Sequence, residues 1–391
     1  TQGGIKLTEF AKASAKTFGR PAHQRQLLVD VSELRLRDSR TGIQRVVHHI
    51  LTEWLLHPPK GFRVEPVYAS HDLTPGYRYA RDFTQRYLGL EPSNLKDHWV
   101  DARQGDIFVG LDFQAQVVAA QNDTLHQYRQ QGVKVKFVVY DLLPVQFPEA
   151  FYPGDDQRHA SWLRFISSFD GACCISKTVA DELSEWLSAV EPDRRDFFEI
   201  RSFRLGSDNK NPINKEGKRN SLKTLLGDAF SKVPTFLMVG TLEPRKGHSQ
   251  VLAAFDLLWA KGLDVNLIIA GKEGWRIESV TSVLRSHSLR HKKLWWLDGL
   301  SDEDIALLYK QSSALIAASL GEGFGLPLVE AAQHNLPIIA RDIPVFREVA
   351  GTSADYFDGR EPEVLAKQIE SWIQQLPKGK IQLPESLRNQ R

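Results

Sequence analysis

From Thr235 onward, short continuous apolar runs alternate with longer stretches in which apolar residues recur every third or fourth position. A continuous apolar run fits a strand buried on both faces, as in a parallel sheet, whereas the wider spacing fits a helix with one buried stripe. The pattern predicts strands at 235–240, 265–270, 294–297, 314–318, 337–340 and 355–357. Between and after them it predicts helices at 248–260 and 302–309, from Pro327, from Pro344, and at 362–376. Strands alternating with helices imply a parallel sheet covered on both faces.

The first half shows the same alternation less cleanly, with strands read at 27–30, 62–68, 106–109, 133–140 and 171–175. After the first of these, Thr41 and Gln44 stand at capping-box spacing. Val46, Val47, Ile50, Leu51, Trp54 and Leu55 then form an apolar helical stripe that Pro58 and Pro59 end. Ser176 suits the N-cap of a helix through Leu187. The aromatic-rich stretch from Tyr77 to Trp99 follows neither period. The polar, Asn- and Lys-rich residues 208–221, with Pro212 and Gly217, have the composition of an interdomain linker.

At 391 residues the chain exceeds one ordinary core, so two domains are expected. The expected division is a basic N-terminal segment or linker at 1–26, an N-terminal Rossmann-like domain at 27–207 and the linker at 208–221. A C-terminal Rossmann-like domain at 222–376 and a tail at 377–391 follow. Both domains would be α/β, with parallel sheets facing across a cleft. With 42% apolar and 25% charged residues and a net charge of +2, the composition is that of a globular protein and makes no case for nucleic acid. The two cysteines, Cys173 and Cys174, are adjacent in a strand and read as small buried residues of a reducing compartment. No run reaches the roughly 18–20 apolar residues of a membrane span, and no signal peptide is evident. The first residue is Thr1, which leaves room for an excised piece of something longer. In residues 1–26, Lys6, Lys12, Lys16, Arg20 and Arg25 stand against Glu9, with Ile5, Leu7, Phe10 and Phe18 between them. A solvated segment is the plainer reading, and a basic amphipathic helix on anionic lipid the other.

Candidate chemistry gathers in the stretch from Ser319 to Gln333, SLGEGFGLPLVEAAQ. A buried strand, then Gly321, Gly323 and Gly325, then a helix opening at Pro327 would present bare backbone N–H groups and a positive dipole end. That describes an anion site, most simply for phosphate. Glu322 in the turn and Glu330 on the helix bracket it. Arg245 and Lys246, in the loop Gly240 to Gly247 after another strand, can neutralise a diphosphate. Tyr140 and Asp141 sit at a strand's carboxyl end, where open α/β sheets bind ligands. Gly42 and Arg45 fall in the first turn of the helix after the first strand.

Rival signals are weaker. The glycines miss the G-x-G-x-x-G spacing, because Leu326 occupies its last position. Asp302, Glu303 and Asp304 open a helix behind Ser301, where acids complement the dipole without a metal ion. His48 with His49, and His287 with His291, lack a supporting ligand cluster and read as surface residues. There is no G-x-S-x-G elbow and no P-loop.

Glu322-x7-Glu330 within EGFGLPLVEAA, preceded by Gly240 and PRKG, resembles the retaining glycosyltransferases of family GT4, which have the GT-B fold. The likeness extends through GL-S-ED-LY and NLPIIARDIPVFREVAG. In the first half, DVSELRLRDSRTGIQRVV and VVYDLLPVQFPE are similar to bacterial O-antigen or capsule mannosyltransferases of that family. It covers roughly residues 27–376. The resemblance implies a metal-independent hexosyltransferase without a cofactor, moving a hexose from a nucleotide sugar to a glycan or lipid-linked glycan acceptor. GDP-mannose is the favoured donor. Arg245 and Lys246 would hold the diphosphate, and the backbone of Gly323, Phe324, Gly325 and Leu326 would complete its cradle. Glu330 would take hydrogen bonds from the ribose, and Glu322 would lie beside the sugar. Gly42 would allow close approach to the donor phosphates, with Arg45 as a further contact. Asp141 would orient the acceptor or the reacting sugar, and Tyr140 stands where many relatives have His. A cytoplasmic enzyme, peripheral at the inner face of the plasma membrane, is the expected setting. The alternatives are an epimerase or hydrolase of nucleotide sugars on the same architecture, or an inactive binding module.

Overall fold

The computed structural model describes residues 24–38, 41–71, 75–91, 95–190, 197–206 and 233–375. Most of the basic segment, the whole expected linker at 208–221 and the tail at 377–391 lie outside the described residues.

The first sheet contains β1 (Arg25–Asp30), β2 (Phe62–Tyr68), β3 (Arg78–Tyr79), β4 (Ile107–Gly110), β5 (Lys134–Val139), β6 (Gly171–Cys174) and β7 (Glu199–Ser202). Its order is β3-β2-β1-β4-β5-β6-β7. The pairs β1–β2, β1–β4 and β4–β5 are parallel, while β3 runs antiparallel to β2. Between β1 and β2 lies α1 (Gly42–Leu56), which buries Val46, Val47 and Leu51. Thr41 accepts the Gln44 N–H at 3.3 Å, but the Gln44 side-chain amide turns to Arg37 O at 2.8 Å. The expected capping box is thus only half closed. Two further helices, α2 (Asp155–Ser167) and α3 (Lys177–Val190), flank β6 in the chain.

The second sheet contains β8 (Thr235–Val239), β9 (Asn266–Ala270), β10 (Leu294–Leu297), β11 (Ala314–Ala317), β12 (Ile338–Arg341) and β13 (Asp355–Phe357). Its order is β10-β9-β8-β11-β12-β13, and every neighbouring pair is parallel. Chain order runs outward one way from β8 and then resumes on its other side with β11. The gap between the carboxyl ends of β8 and β11 is therefore the topological switch point, where such sheets bind ligands. The helices used below are α4 (His248–Ala260), α5 (Asp302–Gln311), α6 (Leu326–Gln333), α7 (Pro344–Ala350) and α8 (Pro362–Gln374). Phe236, Phe255, Leu267, Ile316, Ile339 and Trp372 belong to the core of this sheet and its helices.

The chain parts into two compact units. Among the described residues, one contains those through Val138 with Phe165–Ala172 and Phe197–Glu199, and the other contains Val139–Arg164, residues 173–190 and those from Ile200 on. The segments that leave β5 and β6 therefore group with the second sheet. Both cysteines are free thiols, and burial pushes the Cys174 thiol up to about 12. No described helix is long and apolar enough to cross a membrane.

Candidate active site

The glycine stretch lies at the switch point, between β11 and α6. The helix begins at Leu326, one residue before Pro327, because Gly325 supplies the N-cap in the left-handed region at φ 98°. Gly323 is required for a different reason. A Cβ there would stand 2.0 Å from Tyr140 O, so the loop's backbone lies directly on the Tyr140 peptide. Ser176 fixes the same residue from another side. Its hydroxyl donates to Gly323 O at 2.8 Å and accepts the Val179 N–H at 3.1 Å, capping α3 as the sequence predicted. Ser176 thus joins a helix N-terminus to the glycine loop, a link for which its sequence position gives no signal.

Beneath the loop lies a buried charge cluster. A single 3-10 turn, Pro244–Lys246, after β8 brings Arg245 and Lys246 against Glu322. Lys246 Nζ lies 2.5 Å from Glu322 Oε1, which also accepts the Ser319 hydroxyl at 2.7 Å. Arg245 reaches Glu322 Oε2 at 3.1 Å, Glu243 Oε2 at 2.9 Å and Gly321 O at 2.9 Å. Burial alone would raise the Glu322 carboxyl. Arg245 and Lys246, with the hydrogen bonds from Lys246 and Ser319, outweigh it and hold the group at about 2. Burial pushes Glu243 up despite the same two cations. It would lower Arg245, but Glu322, Glu243 and Asp141 raise it on balance. Arg245, Lys246 and Glu322 therefore form a set of charges held in place by one another and by the backbone. Next to them His248 is fully buried, and burial, then Lys246, lowers it to about 3.

The remaining predicted residues divide by position. Asp141 Oδ1 accepts the Leu143 N–H at 3.1 Å, and His159 of α2 contacts Asp141 O at 3.1 Å. Tyr140 is buried and, through its carbonyl, underlies Gly323. Phe324 is buried as well. Glu330 is 4% exposed, on the second turn of α6, and its Oε2 accepts the Tyr309 hydroxyl at 2.7 Å. Gly42 and Arg45 belong to the first unit, at the start of α1. Sequence reasoning missed Glu243, Ser319, His159 and Tyr309. The first two flank residues it had singled out, while the others reach the site only through tertiary packing.

The rival readings resolve locally. Asp304 and Ser301 close a capping box on α5. His287 Nε2 lies 2.9 Å from Asp256, and the His48 ring bonds Tyr87 and Asp38. Among the described residues there is no group of three or more His, Cys, Asp or Glu that could hold a metal ion.

Comparison with known proteins shows likenesses of sequence and of fold. Residues 227–388 match the family model described as glycosyl transferases group 1. Over 358 residues the chain is 41% identical to the serotype-specific mannosyltransferase WbdA of Escherichia coli, covering 90% of this chain and 42% of that protein. The chain thus spans less than half the length of that relative. It is 26% identical over 268 residues to the O-antigen chain mannosyltransferase RfbU of Salmonella typhimurium, covering 67% of this chain and 65% of that one. Among solved structures it is similar to Anabaena HepE in complex with UDP and glucose, with TM-score 0.59 and 14% identity over 90% of both chains. Sucrose-phosphate synthase from Thermosynechococcus elongatus gives a TM-score of 0.58 at 15% identity, again over 90% of both. At such identities the likeness is one of fold, and the two largely parallel sheets are those of the GT-B architecture.

Proposed function

We propose that this chain, whose residues 227–388 match the model of the glycosyl transferases group 1, transfers mannose from GDP-mannose to a glycan acceptor in bacterial O-antigen or capsule synthesis. The transfer retains configuration and uses no metal ion. The choice of mannose follows the names of the relatives WbdA and RfbU. The observation that carries the reading is the buried cluster of Arg245, Lys246 and Glu322 at the switch point, under a glycine loop and a helix N-terminus.

In this reading Arg245 and Lys246 take the donor diphosphate, and the backbone of Gly323, Phe324, Gly325 and Leu326 completes the cradle. Glu330 accepts hydrogen bonds from the ribose, Glu322 lies beside the sugar, and Asp141 orients the reacting partners. The bond from the anomeric carbon to the diphosphate oxygen breaks, and its electron pair stays on that oxygen. Negative charge grows there as positive charge grows at the anomeric carbon. Preorganised cations and backbone donors aimed at the growing negative charge lower the barrier without reorganising. The acceptor hydroxyl attacks from the leaving face, and its proton passes to the departing phosphate oxygen. The enzyme works in the cytoplasm, at the inner face of the plasma membrane where a lipid-linked acceptor would be presented.

A thermal-shift panel of GDP-, UDP-, ADP- and dTDP-sugars tests the donor, followed by mass spectrometry of products formed on mannose-terminated glycans. A hexose added from GDP-mannose is the expected product. Donor hydrolysis or epimerisation with no glycan product would refute the transferase reading.

A further inference from the structure

A carboxylate offers about four acceptor positions on two oxygens, and a ribose diol donates from two neighbouring hydroxyls. Whether the two meet in a bidentate pair depends on the plane in which the carboxylate is held. Glu330 is 4% exposed, so the packing around it sets that plane. On α5, Tyr309 is 2% exposed and donates its hydroxyl to Glu330 Oε2 at 2.7 Å. Its ring is itself held, because His334 lies one helical turn beyond Glu330 and stacks on it at 5.6 Å between centroids and 15° between planes. The start of α5 is fixed by the box of Ser301 and Asp304. A rigid helix, a clamped ring and a directional hydroxyl therefore all converge on one oxygen of one carboxylate.

We propose that Tyr309 is a positioning residue of the donor site: its hydroxyl sets the plane of the Glu330 carboxylate for the diol of the nucleotide's ribose. The inference rests on the reading of Glu330 as the ribose contact. Tyr309 does not touch the nucleotide; it acts through Glu330. Tyr309→Phe retains the ring, its volume and the stacking with His334, and removes only the donor.

The test is a ligand cycle. Dissociation constants for GDP and for 2′,3′-dideoxy-GDP are measured by calorimetry on the wild type, Glu330→Gln, Tyr309→Phe and His334→Ala. Tyr309→Phe should weaken GDP about tenfold, as expected for losing a hydrogen bond to a charged group. It should leave the dideoxy analogue within twofold of wild type. In turnover, KM for the donor should rise with kcat little changed. His334→Ala, which removes the clamp and keeps the hydroxyl, should shrink the preference for GDP in the same direction by a smaller factor. If Glu330→Gln retains the full preference for GDP, the ribose role of Glu330 fails. If Glu330→Gln erases the preference while both Tyr309→Phe and His334→Ala keep it, the role of Tyr309 is overturned. A loss of both nucleotides by the same factor in Tyr309→Phe would make it a scaffold residue and would overturn the inference as well.

Discussion

At the scale of single residues, Lys246, Arg245 and Glu322 cannot be varied independently, because each neutralises another in a place with little water. Removing one partner of a buried pair costs about 3–5 kcal/mol, mostly from the charge left uncompensated. Lys246→Ala should lower the unfolding free energy by less than that, because Arg245 still faces Glu322 at 3.1 Å, and should weaken donor binding at least tenfold. The double variant Lys246→Ala with Glu322→Gln should recover much of the stability, measured by denaturant unfolding, and none of the donor affinity. Recovery of both would mean that Lys246 serves only to neutralise Glu322. These residues were legible in the sequence because strand-end loops and glycine spacing mark them locally. Their mutual pairing was not, since it joins residues 76 apart in the chain.

At the scale of elements, the glycine loop is the rigid part. With Tyr140 O 2.0 Å from any Cβ at Gly323, Gly323→Ala must displace the loop or the Tyr140 peptide. Activity should fall at least a hundredfold, with the fold retained by circular dichroism. Removing a side-chain cap typically costs about 0.5–2 kcal/mol. Ser176→Ala loses both the cap of α3 and the bond to Gly323 O, so stability and activity should fall together. Glu348 on α7 separates the two effects. Its carboxylate accepts the N–H groups of Lys177 and Thr178, each at 2.7 Å, and the Thr178 hydroxyl at 2.6 Å, without touching the loop. Glu348→Gln should cost stability with the smaller change in turnover, measured side by side with Ser176→Ala. Several elements were readable to the residue, among them the strands Leu294–Leu297 and Asp355–Phe357 and the helix His248–Ala260. The stretch from Tyr77 to Trp99 was not readable. It contains a two-residue strand antiparallel to β2 and the helix Arg81–Tyr87, which buries no residue and so carries no periodic signal. Strand β7 was missed for a similar reason, being polar and largely exposed.

At the scale of the whole molecule, the two units carry buried groups of opposite pH response. In the first unit, burial raises Asp30 to about 6 and Asp112 to about 7, the latter assisted by the nearby carboxylates of Asp30 and Glu33. Both lie above the unfolded value of 3.8, so their stabilising contribution is present below that pH and is lost as pH rises through 6 to 7. In the second unit, burial depresses His248 to about 3 from 6.5 and also lowers His159, while it raises Glu243 and Glu182, which work against the histidines as pH falls. An unfolded chain takes up those protons as pH falls below 6.5, which destabilises that unit. Glu322 adds to the loss only at lower pH, between 4.5 and about 2. Calorimetry from pH 8 to pH 5 should therefore show one unit's transition rising while the other falls. Asp112→Asn should flatten the rise. The transition that falls should be the one moved by GDP, which at 100 times its Kd adds about 2.7 kcal/mol to the unit that binds it. Two transitions moving in parallel would refute this assignment. The sequence made the two-sheet architecture legible through its strand–helix alternation. It could not reveal these opposite responses, because they depend on which polar groups the packing closes over.

The pairing of Glu322 with Arg245 and Lys246 has a further consequence, for competition among the small anions of a cell. Two cations already engaged by a fixed internal carboxylate are a poor trap for an ion that offers one handle, such as inorganic phosphate or sulfate. A ligand must bring several simultaneous contacts to share them. In the proposed reading, the counter-charge that makes burial of the cluster tolerable would also act as a threshold, keeping the site open to an extended diphosphate ligand amid an excess of simpler anions.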